Sequence, residues 1–425
     1  MKAKGVLYST LFLALVALHG VFVPATVAQP HKQRSSRFKF SGEYGLWVQK
    51  QDGQITVHWI TAARDSGFLK VFNDDSQLYG FSTPFARAHQ VSFAIDQKAS
   101  LTLQYGGLSN ALDQHETVIN LEGVGKETKS VFNKIDSIYV VGDIHGEFSN
   151  LAQLLQNAGI IDSNLNWSGR RKHLVALGDI FDRGHDVTKT LWFLYKLERQ
   201  AKKQGGGVHI VLGNHEIMTF DNDLRYLSQK ENLIARLHKT TYAAMYSPRT
   251  SIMGTWLAHK PGILKMNKIL FAHGGVTPWY ARYSIESFND SLQTFLGEDL
   301  FQELLQDSIS VQVDSVQFFR RLLFFYGEDS VFWYRGYVLA DSLAHDLEQV
   351  LKRFRCKLHV VAHTPVETIR EFYDGKLIAV DLTHPVTEML LLVRRKKNQY
   401  EKYRIKLSGE IGPLTAGQET KTSVP

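Results

Sequence analysis

The sequence predicts an α/β domain with buried sheets, preceded by a small β-sandwich. Three observations lead there. Short segments up to about residue 125 alternate apolar and polar residues; beyond Lys134 the texture changes to strand–loop–helix; and an Asp, Asn or His stands at the end of each of five later strands. With 425 residues the chain exceeds one ordinary domain. Its 44% hydrophobic and 12% aromatic content suffices for buried cores and excludes a disordered protein.

The first segment is not part of either domain. Lys2 and Lys4 precede a mostly apolar run from Val6 to Val23, and Ala25 and Ala28 offer small residues for cleavage. That is the arrangement of a secretory signal peptide over residues 1–28. An uncleaved anchor is the other reading, since the run is nearly long enough to span a bilayer. The expectation is a periplasmic or secreted protein with no membrane contact after cleavage.

Residues 36–126 read as the β-sandwich. Ile55, Val57 and Trp59 share one face of a segment running from Gln54 to Thr61, as in a half-buried strand. Segments 67–72, 89–95, 100–105 and 116–121 have similar length, and Asp52-Gly53 and Gly106-Gly107 supply turns. Regular short strands around an inward Trp resemble fibronectin type III-like domains.

Residues 134–405 read as the α/β domain. Apolar strands are expected at 137–141, 173–177, 208–212, 268–272, 357–362 and 376–380. Helices are expected at 148–158, where Leu151, Leu154 and Leu155 share a face, and from about 189 to 203. Segments 221–257 and 283–325 look mainly helical and are expected to sit over the site. The Thr-, Gly- and Ser-rich stretch 406–425 reads as a disordered tail.

Chemistry gathers where the strands end. Asp143 and His145, two apart in extended backbone, project to one side and can grip one cation. After the next strand comes Gly178-Asp179; Asp179 can bridge two metals, and Asp182 and Arg183 follow on a turn toward the same opening. Asn214 and His215 follow the third strand: the amide offers a neutral oxygen, the imidazole a proton. Glu216 beside them reads as a brace for the loop. His273 and His363 close the fourth and fifth strands. Any one of these has a bland explanation, a surface salt bridge for Asp182–Arg183 or a structural histidine. Five in succession match the place where open α/β sheets keep their sites.

This set resembles the motifs of the calcineurin-like metallophosphoesterases. Asp182-Arg183-Gly184 resembles the phosphoprotein phosphatase branch, and Leu224-Arg225-Tyr226 with Trp333-Tyr334-Arg335-Gly336-Tyr337 resembles its Shewanella-like members. The resemblance, from about Ser137 to Leu382, implies two mixed β-sheets packed as a sandwich and flanked by helices. It implies one metal held by Asp143, His145 and Asp179, and a second sharing Asp179 and completed by Asn214, His273 and His363. Such ligands suit Mn, Fe or Zn. A hydroxide bridging the two metals would be the nucleophile, Arg183 and Arg335 would hold phosphate oxygens, and His215, oriented by Asp182, would protonate the leaving oxygen. The implied substrate is a phosphorylated protein, with phosphotyrosine favoured, or a small phosphomonoester. A broad-specificity periplasmic phosphatase or a diadenosine-tetraphosphatase-like nucleotide hydrolase remains the other reading.

One competing mechanism is excluded. The single cysteine, Cys356, cannot form an intramolecular disulfide, and Ala362 stands six residues later where a cysteine-based phosphatase needs an arginine. The formal charge of +7 is spread without a Lys/Arg block, which fits a basic soluble protein as well as electrostatic attraction of phosphorylated substrates; no nucleic-acid partner is expected. Nothing in the sequence fixes an oligomeric state.

Overall fold

The computed structural model describes residues 45–73, 76–95, 100–121, 129–296, 315–383, 385–395 and 399–414. The expected signal peptide lies outside the described residues. No helix among those described is long and apolar enough to cross a membrane.

Five antiparallel strands come first: β1 (Trp47–Gln51), β2 (Gln54–Asn73), β3 (Ser76–Ala94), β4 (Ser100–Gly107) and β5 (Gln114–Asn120). They form one sheet, β1-β2-β4-β5, with β3 paired to β2. This corrects the expected sandwich of short strands. β2 and β3 run for 20 and 19 residues. Register shifts near Ile60/Asp65, Ser66/Gly67 and Val71/Phe72 break their alternation, so one long bulged strand reads in sequence as several short ones. β2 pairs with β1 over Gln54–His58 and with β4 over Gly67–Asn73, so the same strand serves both of these besides β3. The alternation itself was read correctly: Ile55, Val57 and Trp59 all enter the core with Leu69, Val71, Leu101 and Leu103.

This sheet is fastened to the rest of the molecule largely through main-chain groups. Lys50 N–H donates to Thr250 O (2.8 Å), Trp192 Nε1–H to Leu46 O (3.0 Å), and Asn120 N–H to the Tyr195 hydroxyl (3.0 Å). Ile252 packs into the sheet's own core.

The second part follows as β6 (Val131–Phe132), β7 (Ser137–Val141), α1 (Phe148–Asn157), β8 (His173–Ala176), α2 (Val187–Lys203) and β9 (Gly207–Ile210). Next come α3 (Asn214–Phe220), α4 (Gln229–Leu237), α5 (Tyr242–Met245), α6 (Ile252–Ala258), β10 (Ile263–Met266) and β11 (Ile269–Ala272). Then α7 (Ile285–Phe295), α8 (Ser315–Tyr326), α9 (Gly336–Leu339) and α10 (Ala344–Phe354) precede β12 (Leu358–Val361), β13 (Arg370–Phe372), β14 (Leu377–Ala379), β15 (Glu388–Arg394), β16 (Tyr400–Lys406) and β17 (Ile411–Pro413). Every expected strand and both expected helices of this part are present, within two residues at each end.

Two mixed six-stranded sheets result, β13-β14-β12-β11-β10-β6 and β17-β16-β15-β7-β8-β9. The period of two explains their stacking. On β7, Ile138 and Val140 face the other sheet and pack with Phe271, Val360 and Ile378, while Tyr139 and Val141 face α1 and α2. On the far side of the first of these sheets, Leu270 and Ala272 of β11 pack under α7, α8 and α10.

Two expectations change here. The stretch 406–425 is not all tail, because β17 pairs with β16 in the second sheet, and Leu414 is buried. Segment 221–257 does not sit wholly over the site: α4, α5 and α6 bury Ile234, Met245 and Trp256 in the core around α2, and only the turn at Tyr226 reaches the cleft.

Trp59 is fully buried and donates through Nε1 to Gly106 O (3.3 Å). Trp59→Ala is expected to destabilise the protein by about 3–5 kcal/mol in urea unfolding, with the second part's site chemistry unaffected in the folded fraction.

Candidate active site

The ends of β7, β8, β9, β11, β12 and β14 lie together at one edge of the sandwich, and each delivers a polar side chain. β7 leads to Asp143 and His145, β8 to Asp179, and β9 to Asn214 and His215 at the start of α3. β11 leads to His273, β12 to His363 and β14 to Asp381. The two sheets can meet this closely because of Gly142: a Cβ there would stand 2.5 Å from Val380 O.

The backbone is held out of its ordinary conformations to aim these groups. His145 (φ 45°), Asp179 (φ 48°), Asp182 (φ 66°), Arg183 (φ 60°) and His363 (φ 63°) all occupy the left-handed region, which costs a non-glycine residue of order 1–3 kcal/mol. Glu216 fixes the turn that contains three of them. Its buried carboxylate accepts from the N–H groups of Asp179 (2.9 Å), Ile180 (2.7 Å) and Gly213 (2.7 Å), and more weakly from Phe181 (3.4 Å). The brace expected from sequence is what the structure contains.

Asp179 is the centre. Its Oδ2 lies 3.9 Å from His145 Nε2, 3.7 Å from His215 Nε2 and 3.3 Å from His273 Nε2. Two buried triads share it: His145, Asp179 and His215, and Asp179, His273 and His363. Asp143 flanks both, with Oδ2 3.8 Å from His145 Nε2 and Oδ1 3.9 Å from His273 Nδ1. Asn214 Oδ1 lies 2.9 Å from His273 Nε2. All six expected ligands therefore converge, and His215 stands close enough to join a triad by distance alone. Its Nδ1, however, is engaged by Asp182 Oδ2 at 2.6 Å.

The donor set fits a pair of divalent cations. His145 and His273 direct Nδ1 to the carbonyls of Phe181 and Leu177, both at 2.7 Å, which leaves each Nε2 facing the centre, the usual arrangement of a ligating histidine. His363 Nε2 is buried and finds no hydrogen-bond partner among the described residues. The electrostatics point the same way. Burial, then Asp381 and Asp179, push the Asp143 carboxyl well above its usual range. Burial would lower His273, yet Asp179 and Asp143 drive it up to about 10. Asp179 and Asp143 thus favour positive charge at the centre of the cluster.

A cleft of about 150 Å³ opens onto this centre, with Arg183, Arg335, Tyr226 and Trp333 in its walls. Arg183 Nη2 is 3.5 Å from His215 Nε2, and its backbone N–H donates to Tyr226 O (3.0 Å). Arg335 Nη1–H donates to His363 O (2.7 Å). For His215, burial acts downward, but Asp179 and the bond to Asp182 outweigh it, and the imidazole holds its proton above its ordinary pKa. The Tyr226 ring stands 5.3 Å from that of His215, and the Trp333 ring meets His363 edge-on at 5.6 Å. All ten expected site residues thus belong to one constellation.

Asp381 was missed. It lines the cleft and is 3% exposed. The signal was an acid following the apolar strand at 376–380, the same strand-end position as the others but without a glycine or a second polar residue beside it.

A profile of the calcineurin-like phosphoesterases matches residues 137–367. A crystal structure of a cold-active protein-tyrosine phosphatase of a psychrophilic Shewanella species superposes with a TM-score of 0.68 at 28% identity, covering 87% of this chain and 99% of that one. Shewanella-like protein phosphatase 1 of Plasmodium berghei is 27% identical over 278 residues, 60% of this chain and 71% of the relative. Shewanella-like protein phosphatase 2 of Arabidopsis thaliana is 39% identical over 99 residues, 23% of this chain and a quarter (25%) of the relative's length. The profile match runs from β7 past His363 and takes in every residue of the two buried triads; the chain belongs to the calcineurin-like phosphoesterase family, is related to the Shewanella-like protein phosphatases, and is a metal-dependent phosphoesterase.

Proposed function

We propose that this protein is an exported protein phosphatase that prefers phosphotyrosine and works with Mn, Fe or Zn. The observation that carries the reading is the cleft: two guanidinium groups face the Asp179 centre between the aromatic walls of Tyr226 and Trp333. A narrow opening of that kind suits a phosphate at its floor and a phenyl ring between its walls. The likeness to the Shewanella tyrosine phosphatase supports the same substrate class. Export rests on Lys2, Lys4 and the apolar run after them.

Asp143, His145 and Asp179 would hold one cation; Asp179, Asn214, His273 and His363 would hold the other. When bound, the pair supplies Lewis acidity and makes water a competent nucleophile near neutral pH. The chain's own residues do the rest. Arg183 and Arg335 bind phosphate oxygens and match the charge that builds on them in the transition state. Asp182 accepts a hydrogen bond from His215 Nδ1, which fixes the imidazole with Nε2 toward the cleft. From there His215 hands its proton to the departing oxygen. Glu216 keeps Asp179, Ile180 and Phe181 in the turn that presents the central carboxylate.

Metal-stripped protein is expected to be inactive and to recover with Mn on phosphotyrosine peptides, and far less on phosphoserine peptides. Equal rates on peptides, nucleotides and sugar phosphates would instead support the broad-specificity reading. His215→Asn is expected to lower kcat by about 10²–10⁴-fold on an alkyl phosphate. On an activated aryl phosphate, whose leaving oxygen needs no proton, the loss should be much smaller; equal losses on both would remove His215 as the acid. Glu216→Ala strands at least three buried N–H groups and is expected to cost about 3 kcal/mol or more, read as a lowered urea midpoint.

A further inference from the structure

Asp381 differs from the other buried acids of this protein. Glu216 is met by backbone N–H groups, Glu231 by Thr188, Asp182 by His215 and Asp223 by Arg225. Asp381 is 3% exposed, yet among the described residues no hydrogen bond or close ion pair of its carboxyl is found, and His273, Arg183 and Arg335 act on it only through space. A buried carboxylate without a partner is strongly disfavoured. Its position is nonetheless fixed from both sides. Val380 N–H donates to Val361 O (2.9 Å), and the Asp381 carbonyl accepts from Val366 N–H (3.0 Å). Gly142, immediately before Asp143, admits the Asp381 backbone so closely that a Cβ there would lie 3.0 Å from its Cα. The chain thus puts a carboxyl that no described protein group hydrogen-bonds beside Asp143 in the lining of the cleft.

We propose that Asp381 is a positioning residue for the cation held by Asp143, its carboxylate accepting hydrogen bonds from that cation's hydration shell. The inference rests on the two-cation reading of the site. Asp381 lies outside both of the close triads and lines the cleft beside Asp143, where it would face what the ligands hold. Outer partners of this kind orient what the ligands hold and strengthen the hold itself. They also explain why the carboxylate lacks a protein partner: its partner arrives with the metal.

The test is a calorimetric titration of metal-stripped protein with Mn, together with thermal melting of the metal-free forms. Wild-type protein is expected to take up two equivalents. Asp381→Asn should weaken one of the two by about 10–100-fold, while the metal-free variant melts at or above the wild-type temperature, since one of several neighbouring carboxyls has been removed. Asp381→Ser, too short to reach the hydration shell, should behave in the same way. Two equivalents bound with unchanged affinity in both variants would overturn the role of Asp381 alone. So would metal-free variants that melt lower or fail to fold, which would make the residue structural. Fewer than two equivalents in the wild-type protein would remove the two-cation reading and this inference with it.

Discussion

Three backbone N–H groups at 2.7–2.9 Å, with a fourth at 3.4 Å, converge on the single carboxylate of Glu216, and the geometry of the site follows from that arrangement. They come from two different loops, one after β8 and one after β9. The bond that holds Asp179 in a left-handed conformation therefore also holds the start of α3, where Asn214 and His215 stand. Asp179 Oδ1 in turn accepts from the His215 N–H (3.0 Å), so the central carboxylate and the proton donor are located by one network. Because the network is buried and accounts for its donors, it acts as a rigid floor rather than as a surface contact.

Above that floor the two-sheet sandwich does what neither sheet does alone. One sheet contributes Asp143, His145, Asp179, Asn214 and His215 through β7, β8 and β9; the other contributes His273, His363 and Asp381 through β11, β12 and β14. Residues more than 200 positions apart meet at the seam: the His363 N–H donates to Asp143 Oδ1 (3.2 Å). The cleft is thus a property of how the layers pack, and the apolar interdigitation of Ile138 and Val140 with Phe271 and Val360 is what keeps the ligand halves in register.

The catalytic part was legible because its strands are short, apolar on both faces and each followed at once by polar chemistry, so period, element end and ligand coincide. His273 illustrates this: four apolar strand residues, an imidazole, two glycines. Asp381 was not legible, since its meaning comes from Gly142, 239 positions earlier, and from the lack of any partner; neither is a local property. The N-terminal sheet misled for a different reason. A bulge resets the alternation of a strand without ending it, so β2 imitates two strands and the single sheet imitates a pair. Arg335 lay between these cases: its motif was visible, but its bond to the His363 carbonyl depends on a fold contact.

The five left-handed residues of the site carry a consequence for how such a chain would age if its chemistry fell idle. At His145, Asp179, Asp182, Arg183 and His363, glycine would fit the backbone better than the residue present. Each side chain is there against the preference of its own main chain. Freed from the need to hold metal and phosphate, these positions would drift toward glycine first, and each such loss would ease the local backbone as it extinguished a function. Each of the five thus holds its side chain in place at a cost in local backbone stability.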